Sequence, residues 1–120
     1  MTERTERNHR RTGAIYEQLA AEYLEQKGYR ILERNYYTRA GEIDLIARDG
    51  RYLVFVEVKY RKNDGEGHPL EAVDSRKQGR IRRAAQAYLY MHHLPQDTPC
   101  RFDVVGILGE TVLHVEDGFS

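Results

Sequence analysis

Residues 42–59 alternate apolar and polar positions with the period of a β-strand, twice over. Ile43, Leu45 and Ala47 interleave with Glu42, Asp44 and Ile46; after a break, Val54, Val56 and Val58 interleave with Phe55, Glu57 and Lys59. The period of two and the β-branched content predict two strands. Arg48-Asp49-Gly50-Arg51 lies between them and carries the Asp-Gly pair of a tight hairpin. With Asp49-Gly50 as a two-residue loop, Arg48 faces Arg51, Glu42 faces Glu57 and Asp44 faces Phe55. Asp44 is then diagonal to Glu57, about 7–8 Å away on the same face. Lys59, two residues beyond Glu57, projects from that face too. Asp44, Glu57 and Lys59 therefore converge on one side of the hairpin, and Val54, Val56 and Val58 line the other. A slip of one residue would part the acids.

The rest of the chain reads around this hairpin. Residues 1–11 are charged and aperiodic, and disorder is the expectation there. Residues 12–120 form a single domain. A helix starts at Thr12 or Gly13 and runs to about Lys27, with Ile15, Tyr16, Leu19, Ala20, Tyr23 and Leu24 as its apolar stripe and Gly28 as its stop. Glu17 sits at the edge of that stripe, either as a surface carboxylate favourable to the helix dipole or as a group aimed at a site. Tyr29–Tyr37 reads as a strand and Thr38-Arg39-Ala40-Gly41 as a short loop. The polar, glycine-rich segment from Lys62 to Pro69 leaves the sheet at the end bearing Lys59, a position suited to a lid or substrate loop. Asp74 or Ser75 caps a long helix ending near His93, whose buried stripe is Ile81, Ala84, Ala85, Tyr88 and His92. Lys77 falls on that stripe, whereas Arg76 and Arg83 fall on the solvent side. Arg101–Leu108 and Thr111–Val115 are the last strands, joined by Gly109-Glu110. The order α-β-β-β-α-β-β predicts an α/β domain with a central mixed sheet flanked by helices.

Composition narrows this without redirecting it. The 120 residues, 40% hydrophobic and 32% charged, describe a globular domain. No run approaches the length of a membrane span, no secretory signal opens the chain, and the single Cys100 has no partner for an internal disulfide. The expectation is a cytoplasmic protein with no membrane association. Nineteen basic and nineteen acidic residues balance, so a global nucleic-acid signature is missing. The distribution is uneven: Arg76, Lys77, Arg80, Arg82 and Arg83 form a basic block, and Glu110, Glu116 and Asp117 make the C-terminus acidic.

Two readings of Asp44, Glu57 and Lys59 are open. One is a cross-strand salt bridge on an exposed sheet face, worth under about 1 kcal/mol. The other is a metal site, in which two carboxylates give hard oxygen ligands to Mg²⁺ or Mn²⁺ beside a substrate phosphate and Lys59 serves the attacking water. The apolar flanks favour the second, because unpaired acids are costly in such surroundings. Glu42 ranks below Asp44 and Glu57, as a residue at the strand's start pointing away from the ion. Zinc, Walker-type and serine-nucleophile chemistry lack partners: His92-His93 has no third ligand, and neither Ser75 nor Ser120 has a base.

Asp44 followed by Glu57-x-Lys59 resembles the signature of the PD-(D/E)XK nuclease superfamily, with its restriction-endonuclease-like fold and its Holliday-junction resolvases. The resemblance sharpens over residues 13–108. Gly41-Glu42-Ile43-Asp44-Leu45-Ile46-Ala47, Phe55-Val56-Glu57-Val58-Lys59-x-Arg61, Glu71-Ala72-Val73 with Lys77, Ala84-Ala85-x-Ala87-Tyr88-Leu89 and Arg101-Phe102-Asp103-Val104-Val105 are similar to the YraN family of small bacterial proteins. That resemblance implies metal-dependent cleavage of DNA, branched or otherwise structured, by Asp44, Glu57 and Lys59. Glu17 joins the metal site as the helix-borne acid. Tyr16-Glu17 departs from the Gly-Glu usual in the family. Arg39, Arg61, Lys77, Arg76 and Arg80 are the phosphate contacts, and Asp103 is structural, paired with an arginine. Two active sites per resolvase make a homodimer an expectation. The alternatives are a nucleic-acid-binding module that keeps the fold without turnover, and a protein-interaction domain with no nucleic-acid affinity.

Overall fold

The computed structural model describes residues 3–119 other than 64, 66, 68 and 70–72, with side chains from Gly13 onward. Its elements are α1 (Glu3–Gln26), β1 (Arg30–Tyr37), β2 (Glu42–Asp49), β3 (Tyr52–Arg61), α2 (Ser75–Met91), β4 (Cys100–Leu108) and β5 (Thr111–Val115). This is the α-β-β-β-α-β-β order that the hydrophobic pattern predicts. Glu71 and Ala72 of the family motif, residues 1–2 and part of the 62–69 loop lie outside the described residues.

The strands form one sheet in the order β1-β2-β3-β4-β5. Its pairs are antiparallel except β3 with β4, which run parallel because α2 carries the chain back across the sheet. The sheet is therefore mixed, as expected. Ala20, Ala21 and Leu24 of α1 pack on one face, against Leu45, Ala47, Val54, Val56 and Val105. Ala84, Ala85, Tyr88 and Leu89 of α2 pack on the other, against Ile46, Leu53 and Phe55. Cover on both faces explains why Leu53 to Val56 is an unbroken buried run. Among the described residues, no helix is long and apolar enough to cross a membrane.

The hairpin register differs from the expected one. Arg48 opposes Leu53, not Arg51, and Ile46, not Asp44, opposes Phe55. The last ladder pair is Asp49–Tyr52, so the loop residues are Gly50 and Arg51. Gly50 takes a φ of 58° and Arg51 stays out of the positive region, the pattern of a Gly-X type II′ turn rather than Asp-Gly type I′. The shift is two residues, so side-chain parity is kept and the acids still share a face. Gly50→Ala should cost roughly 1–2 kcal/mol, because a Cβ disfavours that φ. Urea unfolding should show it as a lower midpoint with an unchanged slope.

Both helices face the sheet slightly differently from their predicted stripes. Ile15 and Leu19 are exposed while Ala21 is fully buried. Helix α1 is turned so that its small residues approach the sheet closely, and the turn carries Glu17, one turn before Ala21, toward the sheet's open end. On α2, Leu89 is buried where His92 was expected. His92 is instead the C-cap, and its ring stacks on Tyr88 with centroids 4.0 Å apart. Helix α1 begins at Glu3, upstream of the expected Thr12, so residues 3–11 are helical where disorder was expected.

Asp103 is structural, as expected, and holds a buried polar hub. Its carboxylate accepts from Arg101 Nε at 2.9 Å and Nη2 at 3.0 Å, from the Asp117 backbone N–H at 3.0 Å and from Tyr29 Oη at 3.4 Å. His114 Nε2 lies 2.8 Å from it. Arg101 also contacts the Tyr29 hydroxyl and pairs with Asp49 at 2.9 Å.

Candidate metal and phosphate site

A cleft of about 500 Å³ opens where α1, α2 and the end of the β2–β3 hairpin meet. Strands β2 and β3 stop pairing after Leu45 and Val56. Beyond that point Asp44 replaces a ladder partner: its Oδ2 accepts the Val58 backbone N–H at 2.8 Å. This bond pins the carboxylate at the edge of the splayed hairpin. The geometry follows from the sequence, because Asp44 sits among apolar neighbours that hold the strand in place while its own side chain meets a backbone donor.

Glu17 from α1 and Glu42 from the start of β2 meet Asp44 there. One carboxylate oxygen from each lies within 4.8 Å of the others. Burial, then the charge of Glu57, with smaller contributions from Glu17 and Glu42, push the Asp44 carboxyl up to about 8; the Val58 N–H works against them. Burial also raises Glu17, opposed by a hydrogen bond from Asn35 and aided by Glu42 and Glu57. Asp44 and Glu17, which both resist ionisation here, converge with Glu42 in a set that fits a hard divalent cation, whose charge offsets the repulsion among the carboxylates.

The cations stand beside this cluster. Glu57 is buried, 5% exposed, and is held by two ammonium groups: Lys77 Nζ at 2.7 Å and Lys59 Nζ at 3.2 Å. Burial lowers the Lys59 pKa, and the neighbouring Lys77 lowers it further. Lys77 goes the other way: burial opposes its charge, but Glu57 and Lys59 more than offset it. Lys77 reaches the sheet because it lies one turn before the buried Ile81. Asp74 caps its helix by accepting the Lys77 N–H at 2.9 Å, which fixes where the first turn begins.

The structure thus brings together Glu17, Asp44, Glu57, Lys59, Arg61, Lys77 and Arg80, all lining the cleft. Arg39 and Arg76 are exposed and lie outside its lining. Two differences from the sequence expectation stand out. The close acid set is Glu17–Glu42–Asp44, with Glu57 engaged by lysines. Glu42, expected to point away, is in the cluster. The Gly41-Glu42-x-Asp44 spacing was the available signal: residues 42 and 44 share a strand face, and both look into the cleft once the hairpin opens.

The chain matches the model of the family described as "Uncharacterised protein family UPF0102" over residues 16–107. A UPF0102 protein of Lachnoclostridium phytofermentans is 50% identical over 113 residues, covering 94% of this chain and 96% of the relative. One from Nitrosococcus oceani is 44% identical over 92% of this chain and 93% of its own length. A third, from Syntrophus aciditrophicus, is 54% identical over 81% of this chain and 76% of its own length.

Proposed function

Since the chain belongs to the UPF0102 family, the YraN family whose motifs its sequence carries, we propose that it is a metal-dependent phosphodiesterase acting on DNA. The observation that carries this reading is the convergence of Glu17, Glu42 and Asp44 within 4.8 Å, beside a half-buried lysine whose proton affinity is lowered. A surface salt bridge needs no third acid, and it would not leave Asp44 facing other carboxylates.

Glu17, Glu42 and Asp44 would hold Mg²⁺ or Mn²⁺. When bound, the ion supplies Lewis acidity at the phosphoryl oxygens. The chain's own groups do the rest. Lys59, in its neutral form, takes a proton on Nζ from the attacking water. The water oxygen bonds to phosphorus while the bond to the leaving oxygen breaks, and that oxygen takes a proton from solvent. Glu57, whose carboxylate lies 3.2 Å from Lys59 Nζ, positions that amine by accepting a hydrogen bond from it. Lys77 stays charged, keeps Lys59 acidic, and offsets charge developing on the phosphoryl oxygens. Arg61 and Arg80 line the same cleft and bind flanking phosphates, with Arg39 and Arg76 as outlying contacts.

Incubation with Mn²⁺ and a panel of duplex, nicked, flap and four-way DNA should give cleavage that Lys59→Ala abolishes. An intact panel sinks the enzyme reading. Salt-sensitive binding that survives Asp44→Ala, without cleavage, would favour a binding module of the same fold.

The lysine pair makes a finer prediction. Lys77→Gln removes a neighbouring positive charge from Lys59 and leaves Glu57 to it alone. Both changes raise the Lys59 pKa, so the acidic limb of the pH–rate profile should move to higher pH. A limb that stays where it is in the wild type would mean that Lys59 is not the base.

A further inference from the structure

The cleft holds an aromatic pair that phosphate chemistry does not use. Tyr16 of α1 and Tyr60 of β3 stack face to face, with ring centroids 3.7 Å apart and planes 12° from parallel. Both line the cleft and both are half-buried. Tyr60 follows Lys59 directly, so it leaves the strand from the opposite face, only one Cα step from the proposed base. Gly13 lies one helical turn before Tyr16 and also lines the cleft, and a Cβ built there meets nothing within 4 Å. Its φ is not positive, so neither packing nor backbone conformation asks for glycine there, although glycine costs a helix about 1 kcal/mol relative to alanine. It leaves open space beside the ring pair. The cleft also continues past the acids: a second hollow of about 330 Å³ shares Gly13, Glu17 and Glu42 and ends at Asn35 and Tyr37. A strand could thus enter on one side of the acids and leave on the other.

We propose that the Tyr16–Tyr60 pair is a stacking platform for the base of an unpaired deoxynucleotide next to the phosphate held in the cleft. The proposal rests on the phosphodiesterase reading and names its substrate class: DNA with a single-stranded loop, flap or end. Every base has a π-face, so such a platform selects strandedness rather than sequence. In a continuous duplex each base is already stacked between neighbours, so an aromatic face can take only a base that has been freed. Arg61 and Arg80 in the same cleft hold the backbone while the tyrosines take the base.

The test compares binding, by fluorescence anisotropy in Ca²⁺, of three DNAs: a continuous duplex, the same duplex with a short thymine loop, and one whose loop is made of abasic residues. The full-length wild type should bind the thymine loop about 5- to 150-fold more tightly than the abasic loop, as one stacked base contributes. Tyr16→Ala should abolish that ratio, and Tyr16→Phe, which keeps the ring, should preserve it. Equal affinity of the wild type for the two loops overturns the proposal whether or not the variants fold, and leaves the phosphodiesterase reading intact. A base-dependent ratio with no cleavage under Mn²⁺ overturns the enzyme reading and upholds the platform. No binding to any of the three DNAs overturns both.

Discussion

Asp44→Asn is expected to remove divalent-cation binding and, with it, at least about 100-fold in cleavage rate, since even groups that only support a metal ligand cost 10–100-fold. The amide keeps an oxygen for the Val58 N–H, 2.8 Å away in the wild type, so the hairpin should stay folded. The same change should weaken a pH dependence of stability. The Asp44 carboxyl titrates at about 8 in the fold, chiefly because of burial and then the charge of Glu57, against about 4 in an unfolded chain. A raised acid pKa means that the ionised form opposes folding. Below about pH 4 there is no cost; the cost grows through neutrality and is complete above pH 8. The metal-free wild type should therefore lose stability between those limits, and Asp44→Asn should lose less.

Mg²⁺ should restore the wild type by about 2.7 kcal/mol at a hundred times its dissociation constant and should displace protons as it binds near neutral pH. Calorimetry in two buffers of different ionisation enthalpy reads the binding and the proton release together. Identical cation binding in Asp44→Asn would remove Asp44 from the site.

The second large effect lies away from the cleft. Asp103→Ala should destabilise the fold by about 3–5 kcal/mol, because it leaves the Arg101 guanidinium in the interior without its main partner. Asp103 is 0% exposed. Burial alone would raise its carboxyl, but His114, Arg101 and the Asp117 N–H overcome that and hold it at about 2. Here the depressed pKa favours folding of the ionised form. The stabilisation, about 2 kcal/mol, is present above about pH 4 and disappears as the pH falls through 2. Acid unfolding followed by circular dichroism should show this slope in the wild type and not in Asp103→Asn. If Asp103→Ala unfolds at the wild-type midpoint, the hub does not hold the fold. Asp44 and Asp103 thus pull in opposite directions, and the metal-free protein should be most stable in mild acid.

Strand and helix periods, the Asp74 cap and the Gly28 stop follow from short-range sterics and hydrogen bonding, and they place every element in order without reference to the rest of the chain. Side-chain parity is equally local. It assigns Asp44, Glu57 and Lys59 to one face, and it survived a two-residue error in register because the period of a strand is two. The same reasoning set Lys77 on the inner stripe of α2. The choice of Gly50-Arg51 over Asp49-Gly50 as the turn was not local. Pairing of Ala47 with Val54 and Ile46 with Phe55 buries both faces of the hairpin under two helices, and turn propensity carries no information about that burial. Only packing decided the rotation of α1, which exposes Ile15 and Leu19, seats Ala21 on the sheet and brings Glu17 to Asp44. For Glu42, whether it pointed into the cleft or away depended on where β2 and β3 separate. Sequence alone therefore determined the elements, their order and the faces of the acids. Tertiary structure decided which acids meet, because convergence of groups from a helix and a strand far apart in the chain is set by long-range packing that no spacing along the chain encodes.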